Sequence, residues 1–183
     1  MLQTALSFDH QVFQFINRDL ANPFFDVLMP VLRNRFTWVP VYIFIGFYTL
    51  WKYQYEAWKF FVLAGLTFFL SDFINYHLWK PLFHRQRPCY DLLIQVRLVL
   101  GDCGGKWSFP SSHAANHFAL SLSFLFSGLF GNKVVKVLVF LWPFAVGFAQ
   151  VYVGVHYPAD ILIGYAWGIF CASISYAVLK RYF

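Results

Sequence analysis

Five apolar stretches dominate the chain, at 36–51, 57–79, 112–130, 133–152 and 158–179, and short polar connections separate most of them. A helix crosses the ~30 Å hydrocarbon core with about 20 such residues. The expected fold is therefore an all-α membrane protein, a bundle of about five transmembrane helices. Composition agrees. Of the 183 residues, 60% are hydrophobic and only 12% charged, about half the charge of an ordinary soluble domain. That makes disorder untenable and argues against an ordinary soluble domain. The 24 Phe, 11 Tyr and 7 Trp suit a bilayer whose interfaces favour amphipathic rings.

Two pieces precede the spans. In 7–20, Phe8, Val12, Phe15 and Ile16 recur at helical spacing, with Asp9, Gln11, Asn17, Arg18 and Asp19 on the opposite side. This pattern predicts a helix lying in the membrane interface. In 21–35, Pro23, Asp26, Pro30, Arg33 and Arg35 leave too short an apolar run to cross, so a partly buried surface piece is expected. Residues 1–35 thus form an interfacial segment and 36–183 the bundle, within one domain. Residues 1–20 show no basic start followed by an unbroken apolar stretch, so no cleavable signal peptide is expected. No internal repeat supports an inverted-repeat transporter.

An odd number of spans puts the N-terminus, the 80–111 loop and the 153–157 turn on one side. Lys52, Lys59, Lys133, Lys136, Lys180 and Arg181 fall on the other, in very short connections, and their density marks that side as cytoplasmic. The expected location is a bacterial-type inner membrane with the opposite side facing the periplasm. The net charge of +6 is scattered rather than gathered, which argues for anionic lipid or phosphate as partners and against nucleic acid. Cys89 and Cys103 share one polar loop and can pair if it faces an oxidising compartment. Otherwise each of the three Cys is a small apolar filler.

Polar residues at a membrane edge cost energy and ask for a reason. Three clusters fall on the same side: Lys80 to Arg87-Pro88, then Pro110-Ser111-Ser112-His113, then Gln150 through His156 to Asp160. Lys80 and Arg87 offer positive charge, and the helix start after Ser111 offers backbone N–H groups, so together they favour a phosphate. His156 and Asp160 are four apart, close enough for the carboxylate to accept from Nδ1–H and leave Nε2 free to attack. His113 is placed to protonate a departing alkoxide. The sum is two-step phosphoryl transfer through a phosphohistidine. Each part alone has a plainer reading: snorkelling cations, a helix cap, a turn. Asp72 reads equally as a partner for a nearby cation or as a packing hydrogen bond, and His117 as a helix–helix contact. Ala114, Ala115, Ala119, Gly164 and Gly168 read as sites of close helix approach.

In order, K-x6-R-P, P-S-S-H and V-Y-V-G-V-H-x3-D resemble the three-part signature of the type 2 phosphatidic acid phosphatase superfamily, membrane lipid phosphatases related to vanadium haloperoxidases. The resemblance implies that Lys80, Arg87, Ser111 and Ser112 (through the backbone) and His113 bind phosphate or protonate the leaving group, that His156 attacks, and that Asp160 orients it. It implies no metal and no cofactor. The family's third motif opens S-R, and here Ala149 and Gln150 stand in its place. Gln150 can donate to a phosphate oxygen but brings no charge, so transition-state stabilisation is either weaker or supplied by another cation, for which Arg85 and Lys106 are the candidates. The expected activity is removal of a terminal phosphate from a membrane lipid: phosphatidate, phosphatidylglycerol phosphate, prenyl diphosphate or lipid A 1-phosphate. The alternatives are a lipid phosphotransferase on the same site and a non-enzymatic anion- or lipid-binding bundle. Apolar faces look alike to lipid and to partner helices, so no oligomeric state is assigned.

Overall fold

The computed structural model describes residues 2–92 and 94–183, and the side chains of 7–92 and 94–183. Its helices, in chain order, are α1 (Leu2–Gln14), α2 (Pro23–Arg33), α3 (Arg35–Tyr53), α4 (Ala57–Ile74), α5 (Lys80–Phe83), α6 (Ser112–Phe126), α7 (Lys133–Tyr152) and α8 (Pro158–Leu179). One π-helical turn, Phe15–Asp19, prolongs α1, and another, Asn75–Trp79, joins α4 to α5. Helix starts follow from short polar side chains. Asn22 accepts from the Phe25 N–H, Asn34 from Phe36 and Asn132 from Val134 and Val135. Each satisfies a donor that has no partner within its helix.

Among the described residues, three runs are long and apolar enough to cross a membrane: Arg35–Phe83, which contains α3 and α4, Lys133–Tyr152 and Pro158–Tyr182. They surround α6, which packs on α4, α7 and α8 and buries Ala114, Ala115, Phe118, Ala119 and Leu122. Outward faces carry Phe44, Phe47, Phe69, Leu141 and Phe170, as a lipid-facing surface should. The span expected at 112–130 is shorter: α6 stops at Phe126. Ser127 Oγ donates to the Phe124 carbonyl at 2.8 Å, and Phe130 folds back to stack on Phe124 with ring centroids 3.5 Å apart. Hydropathy read that folded-back loop as membrane.

The contact between α6 and α8 is set by small residues, as the sequence indicated. A Cβ on Gly164 would lie 2.7 Å from the Ser111 carbonyl oxygen, and one on Gly168 would collide with the Ala115 carbonyl. Lipid gives no hydrophobic drive between helices, so such close backbone packing holds the pair together. It also brings the start of α6, with His113, against the start of α8.

The N-terminal segment differs from its expected amphipathic layout. Asp9 and Asn17, assigned to the polar outward side, are buried, whereas Phe8 and Phe15 are 66% and 53% exposed. The reason is polar partners inside. Asn17 Nδ2 donates to the carbonyls of Arg97 (2.9 Å) and Tyr152 (2.7 Å), and its Oδ1 accepts from the Arg97 N–H. Arg97 pairs with Asp26 at 2.6 Å, and Tyr152 donates to the same carboxylate. N-terminal segment, 80–111 loop and the end of α7 therefore meet on one side, as span counting required. Cys89 and Cys103 form a disulfide within that loop, while Cys171 is buried and free.

Replacing Gly168 by Val should force α6 and α8 apart. We expect a destabilisation of about 1–3 kcal/mol from overpacking, read as a lowered thermal midpoint in detergent. An unchanged midpoint would show that the helices can separate without loss.

Candidate active site

The three polar clusters meet at the start of α8. Tyr157 is the residue before it, and Asp160 reaches back so that its Oδ2 accepts from the Tyr157 N–H at 2.9 Å. The same oxygen lies 3.4 Å from His156 Nδ1, and both side chains are buried. At that distance the pair makes no hydrogen bond, and Nδ1 is buried without a hydrogen-bond partner among the described residues; a hydrogen on Nδ1, facing a carboxylate that only accepts, leaves Nε2 its lone pair. The second oxygen, Oδ1, accepts from Arg85 Nη1 at 2.7 Å. Arg85 Nη2 continues to Asp9, whose other oxygen accepts from the Ala159 N–H in the first turn of α8. The Arg85 guanidinium also lies 4.2 Å above the Tyr157 ring. A chain of ionic partners thus surrounds the buried Asp160 carboxyl group.

Ser111 joins the second cluster to the third. Its N–H donates to the Asp160 carbonyl at 3.0 Å, and its hydroxyl accepts from the Ala114 N–H as the cap of α6. Both groups of Ser111 are therefore used inside the protein, and its N–H is not offered to a ligand. The first-turn N–H groups of Ser112 and His113 have no intrahelical acceptor. His113 borders two cavities. One, of about 570 Å³, is also lined by Arg33, Arg35, Arg87, Asp102 and Gly104. The other, of about 320 Å³, runs between α3, α4 and α6 past Asp72, Asn116 and His117.

The first cluster is fixed by its own loop. The Arg87 N–H donates to the Lys106 carbonyl, and Arg87 Nη1 donates to the Cys103 carbonyl at 2.8 Å, so the disulfided residue holds the guanidinium. Arg87 Nε is buried with no partner among the described residues. Lys80 Nζ reaches the Trp107 carbonyl at 3.4 Å. Gln150 is buried, and its Nε2 also lacks a partner among the described residues. Burial, and then the charges of Arg87, Lys80, Arg33 and Arg85, hold the proton affinity of His156 well below the ordinary imidazole value. It is neutral at neutral pH.

Neither expected substitute for the third-motif arginine fills that place. Arg85 is occupied by two carboxylates, and Lys106 is exposed, with Nζ 4.8 Å from the centre of the Trp107 ring. Asp72 accepts from Asn116 Nδ2, and His117 Nδ1 bonds Tyr42 Oη, so both make helix–helix contacts. The sequence reading missed Asp9 and Arg33 as neighbours of the site. Nothing in a short interfacial segment signals which of its polar residues turn inward.

Arg85→Ala leaves the Asp160 charge buried without its main partner. Loss of one member of such a pair costs about 3–5 kcal/mol, and we expect a matching drop in thermal stability together with loss of turnover. Wild-type stability would show that Asp160 does not depend on Arg85.

Comparison with known proteins places this geometry. The family model described as the PAP2 superfamily matches residues 56–183. The chain is 31% identical to a lipid A 4'-phosphatase of Bacteroides thetaiotaomicron, over 99% of this chain and 81% of that protein. The crystal structure of Aquifex aeolicus LpxE superposes with a TM-score of 0.71 at 27% identity, covering 90% of this chain and 92% of that one. A PAP2-type phosphatidylglycerolphosphate phosphatase of Bacillus subtilis shares the fold, with a TM-score of 0.72 at 21% identity, covering 97% and 87%. With three motifs meeting in one site and a family match over most of its length, the chain belongs to the PAP2 superfamily.

Proposed function

We propose that this protein removes a terminal phosphate from a membrane lipid through a phosphohistidine formed on His156. The observation that carries this reading is a buried imidazole whose Nδ1 lies 3.4 Å from the Asp160 carboxylate and whose proton affinity is lowered by burial and by the charges of four cations, Arg87, Lys80, Arg33 and Arg85. Those cations repel a divalent ion and attract a phosphate, so the reading needs no metal.

Lys80 and Arg87 hold the phosphate, with the first-turn N–H groups of α6, and neutralise charge on its equatorial oxygens. His156 Nε2 attacks phosphorus, and the P–O bond to the lipid breaks. His113 gives its proton to the departing lipid oxygen. Asp160 stabilises the imidazolium that develops on His156. In the second step His113, left neutral by the first, takes a proton from water, water attacks phosphorus, and the N–P bond breaks, which releases inorganic phosphate and returns His156 to its neutral form and His113 to the protonated form that began the cycle. Gln150 Nε2 is a neutral donor to the same group.

The named relatives act on lipid A and, for the fold alone, on phosphatidylglycerol phosphate. A phosphorylated glycolipid is the first candidate substrate, beside phosphatidate, phosphatidylglycerol phosphate and prenyl diphosphate. The site lies on the side of the Cys89–Cys103 disulfide, and disulfides persist in oxidising compartments. Together with the lysine density on the opposite side, this supports a site facing the periplasm from an inner membrane. A phosphotransferase differs only in its acceptor, so phosphate leaves on a second lipid.

A panel of lipid phosphates assayed in detergent should release inorganic phosphate. His156→Ala should lose turnover by orders of magnitude, a change that a non-enzymatic bundle would tolerate in binding. Transfer to lipid without release would replace the hydrolase reading by the transferase one. Because the neutral form of His156 attacks and its proton affinity is lowered, the acid limb of kcat/KM should lie below the ordinary histidine value of about 6.5; a limb at or above that value contradicts the assignment. Gln150→Arg should preserve or raise turnover. A collapse would mean that Gln150 is fitted to another substrate geometry.

A further inference from the structure

Arg33 ends α2, outside all three polar clusters, yet its side chain lines the 570 Å³ cavity with Arg87 and His113. The corner that carries it is fixed. Asn34 caps α3, Trp38 Nε1 donates to the Leu32 carbonyl at 2.8 Å, and Met29 is buried one turn back. From this corner Arg33 approaches Arg87 across Gly104. A Cβ on Gly104 would sit 3.3 Å from Arg87 Nη1 and 3.9 Å from Arg33 Nη2, and its φ of +71° is one that L side chains rarely adopt. The glycine leaves the space in which the two guanidinium groups converge.

Like charges brought together repel unless an anion lies between or beside them. No carboxylate of the described residues comes within 4 Å of either guanidinium. Asp102 attracts Arg33 only from farther away; burial and then the charge of Arg33 lower the proton affinity of Arg87, with Asp160 and Asp102 acting the other way from a distance. Arg33 also acts electrostatically on His156. Its charge thus falls where phosphoryl transfer builds negative charge, and where Gln150 supplies none and Arg85 and Lys106 are engaged elsewhere.

We propose that Arg33 is a phosphate-binding residue of this site, contributing from α2 the positive charge that the third cluster lacks. The proposal rests on the phosphatase reading and adds a residue to it. A guanidinium in this position holds two phosphate oxygens through paired N–H groups, so its loss should weaken both ground-state phosphate binding and turnover.

The test separates the two readings. Detergent-solubilised wild type, Arg33→Gln, Gln150→Arg and the double variant are titrated with inorganic phosphate while thermal unfolding is followed, since a ligand of the folded state raises the midpoint. In parallel, kcat/KM is measured on a lipid phosphate. Arg33→Gln should weaken the apparent phosphate Kd about tenfold or more and lower kcat/KM about a hundredfold. Adding Gln150→Arg to it should recover at least about a tenfold part of the loss. Arg33→Met keeps the packing of the stem and carries the same expectations if the Gln variant does not fold. Wild-type phosphate affinity in both neutral variants overturns the proposal, and so does a loss that Gln150→Arg leaves untouched. A wild-type protein stabilised by phosphate but inert on every lipid defeats the phosphatase reading, while the effect of Arg33 on the phosphate titration still decides its own role.

Discussion

One buried carboxylate organises the site. Asp160 receives the Tyr157 N–H and the Arg85 guanidinium, faces His156 Nδ1, and through its own carbonyl receives the N–H of Ser111. A charge that far from water is costly unless paired and hydrogen-bonded. Every polar cluster named from the sequence is therefore drawn to the same residue. Arg85 belongs to the loop of the first cluster, Ser111 to the second, and His156 to the third. Close packing of α6 on α8 at Gly164 and Gly168 makes the meeting geometrically available, and Asp160 fixes its register.

The first 35 residues have a larger part than a membrane-surface anchor. Asp9 completes the ionic chain from Asp160 through Arg85 and caps α8, Asn17 ties the 80–111 loop to the end of α7, and Arg33 enters the cavity beside Arg87. All three lie before the stretch that matches the family model, 56–183. The shared region brings the three motifs, and the preceding segment supplies charges that act on them.

The sequence showed most of the frame and part of the site. Apolar stretches located α3, α4, α7 and α8 closely, because hydrocarbon thickness imposes their length. Small residues named the α6–α8 contact. His156 and Asp160 were legible because a four-residue spacing at a helix start places them together, and Cys89 and Cys103 were named as candidates and are bonded. The end of α6 was not legible, since Ser127 and the ring of Phe130 closed a turn that hydropathy counted as membrane. The inward turn of Asp9 and Asn17 was hidden too. Periodicity separates polar from apolar faces, but it does not say which face meets lipid when the bundle itself offers polar partners. Ser111 was legible as a cap, whereas the use of its N–H by Asp160 depends on a contact between helices far apart in sequence.

The proposed covalent bond between His156, held by Asp160, and phosphorus can be trapped by quenching the enzyme during turnover of a labelled lipid phosphate and mapping the phosphorylated residue. An acid-labile, base-stable phosphoryl group is expected on His156, disappearing when water completes the reaction. Turnover with no phosphorylated histidine, or with the phosphoryl group on His113 instead, would contradict it.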